Sequence, residues 1–77
     1  MMRIKNLTQT CGACPSQWEG ETENGAYVFI HYRHGYLYMT VDSEMVFSKN
    51  ISDNPFGDGV MNTEEMLKIT GLERCHW

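Results

Sequence analysis

The sequence predicts an α+β fold, a small antiparallel β-meander of three or four strands with one short C-terminal helix packed on one face. Two turn dipeptides, Asn24-Gly25 and His34-Gly35, separate segments rich in aromatic and β-branched residues, the pattern of strands joined by two-residue hairpin turns. Near the C-terminus a polar cap, two acidic residues and Gly71 frame a short apolar segment, as a helix requires. A chain of 77 residues buries only about 60% of its unfolded surface, so residues 1–77 are expected to share one core. Multi-domain and large-pocket enzyme architectures are thereby excluded.

Residues 1–16 read as an N-terminal arm carrying Cys11-Gly12-Ala13-Cys14. The meander occupies 17–49, with strands at 17–22, 26–33 and 36–41 and a fourth at 44–49. That fourth strand rests on Met45, Val46 and Phe47, whose alternation is poor. Pro55, Gly57, Asp58 and Gly59 make 50–62 a loop. The helix runs over 63–71, capped by Asn62 or Thr63, with Glu64 and Glu65 at the positive end of its dipole and Gly71 as its left-handed stop. Met66, Leu67 and Ile69 form its apolar side. About eight residues cannot hold a helix alone, so it must dock on the sheet.

Two-residue turns fix a register in which Trp18 opposes His31, His31 opposes Tyr38, Ile30 opposes Met39 and Val28 opposes Val41. One face then gathers Val28, Ile30, Tyr32, Leu37, Met39 and Val41, the core surface the helix covers. The other gathers Trp18, Tyr27, Phe29, His31, Arg33, Tyr36 and Tyr38, with Gly20 leaving a gap beside Phe29. Glu19 and Glu21 fall on the core side of an edge strand, where charge blocks edge pairing. A sheet covered on one side carries a polar outer face, so this aromatic one requires a cover or a partner. Residues 42–60, a second copy in a homo-oligomer, a stacked ligand or a protein partner would each supply it.

Ten acidic residues against six basic give a net charge of −4, the wrong sign for double-stranded nucleic acid. A hydrophobic share of 42% with two Trp, four Tyr and three Phe is too high for a disordered chain, and no apolar run is long enough for a membrane span. Arg3 and Lys5 precede no apolar stretch of the secretory kind, which points to the cytoplasm. There, three cysteines argue against a disulfide framework. Cys11 and Cys14 have the spacing of a zinc knuckle, but only half a site; Cys75 with His76, or with His34 in the turn, would complete it. Reduced packing cysteines are the alternative. No nucleophile, base and orienting group stand at a recognisable spacing, and no glycine-rich phosphate loop is present.

The run Cys11-x-x-Cys14-Pro15-x-Gln17-Trp18-Glu19-Gly20, followed by Gly25 and by Tyr32-Arg33-x-Gly35-x-Leu37, resembles a set of short uncharacterised bacteriophage and actinobacterial proteins. The likeness spans roughly residues 11–41. It implies a phage-borne accessory role, for which interference with host defence is frequent, and it transfers no functional residue. The expected function is non-enzymatic capture of a small anionic nucleotide or a host defence protein on the aromatic face. Trp18 and Tyr38 would stack, Arg33 and His31 would meet phosphate, Tyr36 would hydrogen-bond and Tyr27 would line the site. The alternative is a small zinc-stabilised interaction module held by Cys11, Cys14, Cys75 and His76. A nucleotide hydrolase with His31 as general base is the enzymatic option.

Overall fold

The computed structural model describes residues 3–12, 16–51 and 60–74. These residues form strands β1 (Arg3–Gly12), β2 (Ser16–Thr22), β3 (Tyr27–Arg33), β4 (Tyr36–Val41) and β5 (Glu44–Asn50), helix α1 (Thr63–Thr70) and strand β6 (Glu73–Arg74). All six strands join one curled sheet, a half-barrel in the order β5-β4-β3-β2-β1-β6. Neighbours are antiparallel except β1 and β6, which run parallel. The expected α+β meander of three or four strands is therefore corrected to a mostly β, mixed six-stranded sheet carrying one helix.

The residues expected as an N-terminal arm supply the longest strand. β1 escapes a period-two search because its two buried apolar residues, Ile4 and Leu7, stand three apart. A bulge between Lys5 and Thr8 absorbs the extra residue, with Asn6 in the left-handed region at φ 55°. The Asn6 side-chain amide donates to Glu21 Oε1 at 2.7 Å and pins the bulge to the neighbouring strand. β5 is irregular for a similar reason: Met39 pairs with Phe47 but Thr40 with Met45, leaving Val46 as the added residue.

The first hairpin corrects the register. Gly25 N–H donates to Thr22 O at 3.0 Å and Thr22 N–H to Ala26 O at 2.9 Å, so Glu23, Asn24 and Gly25 form a three-residue loop rather than a two-residue turn. Gly25 holds the left-handed position, φ 85°, that such loops require. One added loop residue shifts β2 by one position and exchanges its two faces. Trp18 accordingly opposes Ile30, and His31 opposes Gln17. The second hairpin is the expected two-residue turn, with His34 at φ 53° and Gly35 at φ 75°, and His31 meets Tyr38, Ile30 meets Met39 and Val28 meets Val41. Asp42 and Ser43, at φ 50° and 69°, make a third turn of the same kind without glycine. Asp42 is held there by accepting the Tyr27 N–H through Oδ1 at 2.9 Å.

The core lies between the inner face of the sheet and α1. Val28, Ile30, Tyr32, Leu37 and Met39 are buried as expected, with Val41 packed at their margin. Trp18, Ile4, Leu7, Met61, Met66 and Leu72 join them. Asn62 caps α1 by accepting from Glu65 N–H at 2.8 Å, and Gly71, at φ 77°, ends it by donating to Leu67 O at 2.9 Å. The Trp18 indole N–H donates to Thr63 Oγ1 at 2.9 Å, joining the middle of the sheet to the first helical residue. Ser16, wholly buried, accepts from Met61 N–H at 3.1 Å and donates to Gly12 O at 3.0 Å, which ties the segment entering the helix to the start of β2. Gly20 faces this interior and not Phe29; a Cβ there would stand 2.9 Å from Ile4 Cδ1. Among the described residues no helix is long and apolar enough to cross a membrane.

Candidate functional site: the outer face of the sheet

The shift of β2 rebuilds the outer face. Directly paired residues share a side of a sheet, so Gln17, His31, Tyr38 and Ser48 form one row across four strands. Glu19, Phe29, Thr40 and Met45 form the next. Glu21 and Tyr27 lie beyond it, while Arg33, Tyr36 and Asn50 make the row at the opposite end. The carboxylates expected on the core side thus stand among the rings, and on an interior strand rather than an edge.

Four rings make a continuous patch. His31 and Tyr38 stack with centroids 5.0 Å apart and planes inclined by 28°. Phe29 lies 6.0 Å from His31 and 6.3 Å from Tyr38, and Tyr36 lies 6.1 Å from Tyr38. These separations fall within the range of attractive aromatic contact. Phe29, His31 and Tyr38 are half-buried, whereas Tyr36 and Tyr27 keep 38% and 45% of their surface exposed, so the patch offers ring faces that a ligand can reach. Trp18 does not belong to it, since its indole is fully buried beneath the opposite face.

The charges are arranged end to end. Arg33 is exposed at one end, two residues along β3 from His31 and on the same side. Desolvation lowers the His31 pKa, and the Arg33 guanidinium lowers it further. Both effects favour the neutral imidazole, a flat ring with one donor and one acceptor nitrogen. At the other end, desolvation raises the Tyr27 pKa, and its hydroxyl's interaction with the Glu19 carboxylate adds to the rise. Glu21 Oε1 accepts from the Asn6 side-chain amide at 2.7 Å.

Of the proposed zinc ligands, Cys11 lies on β1 opposite Gln17, and Cys14, Cys75 and His76 fall outside the described residues. Among the described residues no three His, Cys, Asp or Glu side chains gather as a metal would need. Gln17, Glu19 and Glu21 are the β2 side chains that sequence reasoning missed at this face; a three-residue reading of the first turn would have found all three. No family model, curated protein or solved structure matches the chain.

Proposed function

We propose that the protein is a non-enzymatic binding module that captures a small anionic nucleotide on the outer face of its sheet. The carrying observation is the His31–Tyr38 stack, extended by Phe29 and Tyr36 and half-open to solvent, with Arg33 at its end. A nucleobase stacks on such rings through its π-face, and a guanidinium forms charge-assisted hydrogen bonds to phosphate. Tyr38 and His31 give the stacking surface, Arg33 takes the phosphate and the Tyr36 hydroxyl supplies a polar contact. Trp18 keeps a different task, as the interior anchor of the helix. Capture without turnover, in the cytoplasm, agrees with the interference role that the phage-like motif implies.

Calorimetric titration with nucleoside monophosphates tests this reading. Arg33→Ala should weaken nucleotide binding by about tenfold or more, the scale of a hydrogen bond to a charged group, and leave the free energy of unfolding within about 0.5 kcal/mol because the side chain is exposed. Equal affinity in the variant and the wild type contradicts the assignment of Arg33.

A further inference from the structure

Glu19 and Arg33 stand at opposite ends of the ring patch, and what this order selects rests on nucleotide capture at that face. The Glu19 carboxylate stands opposite Phe29 at one end of the ring patch. Arg33 lies four residues beyond Phe29 on the same side of β3, about 13 Å along a strand that rises roughly 3.3 Å per residue. An extended nucleotide, from the outer edge of its base to its phosphate, is of that order of length. Between them lie the half-buried rings of Phe29, His31 and Tyr38. The face therefore presents an anionic acceptor, a π-surface and a cationic donor in that order.

The complementary molecule is a planar ring with adjacent N–H donors on its outer edge and an anionic tail. Guanine answers this description: N1–H and the N2 amino group point the same way and match the two oxygens of one carboxylate. Adenine sets a lone pair at N1 beside its amino group, so a carboxylate in that place meets repulsion at one of its two oxygens. We propose that the face is selective for guanine nucleotides, with Glu19 accepting from the N1–H and N2–H edge while Arg33 holds the phosphate. Position singles out Glu19 for the task, since it pairs with Phe29 at the margin of the ring patch whereas Glu21 pairs with Tyr27 one row farther out.

The test is a calorimetric titration of the intact chain with GMP, AMP and guanosine, repeated on Glu19→Gln and Arg33→Ala. GMP should bind tighter than AMP by about tenfold to a hundredfold, the discrimination of one bidentate base contact, and tighter than guanosine. Glu19→Gln, which replaces one acceptor oxygen by a donor amide at constant volume, should bring the GMP to AMP ratio close to one. Arg33→Ala should weaken both nucleotides alike and keep the ratio. Near-UV circular dichroism of the buried Trp18 environment confirms that each variant is folded. If wild-type protein binds AMP as tightly as GMP, or if Glu19→Gln keeps the preference, guanine selectivity is overturned and nucleotide capture stands. If neither nucleotide binds, both fall.

Discussion

His31 occupies a position where the two uses of an imidazole oppose each other. Stacking between Phe29 and Tyr38 removes water from the ring and disfavours its cation, and Arg33 adds repulsion from the same strand. Gln17 from β2 and Tyr38 from β4 bring no opposite charge to the row. The folded-state pKa therefore lies below the value of about 6.5 that the unfolded chain shows. Above that value the ring is neutral in both states and contributes nothing to the pH dependence. As the pH falls through it, the unfolded chain takes up the proton first, so stability declines with acidification. Thermal unfolding across pH 7 to 5 should accordingly show a smaller loss of Tm for His31→Gln than for the wild type. Identical slopes would mean that burial does not perturb this histidine.

Among the elements, what the sequence revealed depended on how each strand handles its extra residues. The β3–β4 pairing and the limits of α1 were legible because His34-Gly35, Asn62 and Gly71 each leave their backbone one favourable conformation. β1 was hidden because the Asn6 bulge breaks its alternation, and β2 was displaced because Asn24-Gly25 serves loops of either length. In the loop that forms, only Gly25 is left-handed, whereas a two-residue turn would require Asn24 there as well. Half of the candidate site was therefore legible, the rings and Arg33 of β3 and β4, and its β2 half was not. Gly20 reports the closeness of β1 and β2 on the inner side. Gly20→Ala should destabilise the fold by about 1–3 kcal/mol, since the new methyl would meet Ile4 Cδ1 at 2.9 Å and the Lys5 carbonyl oxygen at 3.1 Å. Urea unfolding measures the loss. Combining it with Ile4→Val should return part of it, as contacting residues do in a double-mutant cycle.

For the molecule as a whole, α1 closes the concave side of the six-stranded sheet. Met61 and Met66, both essentially inaccessible, and Leu72 are the plugs, while the Trp18–Thr63 and Ser16–Met61 hydrogen bonds fix where they enter. At the far edge the Arg3–Glu73 ion pair of 3.5 Å is half exposed and contributes little, so the seal is apolar. A domain of 77 residues has a total stability of roughly 4–12 kcal/mol, and Met66→Ala should remove about 2–5 kcal/mol of it. Helix and sheet should melt together, with near- and far-UV circular dichroism tracing one transition. The hairpin that precedes β3 carries a further consequence, because it sets the parity of everything upstream. Exchanging a side chain on its exposed tip is a local event, but deleting one residue there would turn β2 over. Indole would go to water and two carboxylates into oil, so the fold demands the length of this turn and its left-handed Gly25, and leaves the exposed Glu23 and Asn24 open to exchange.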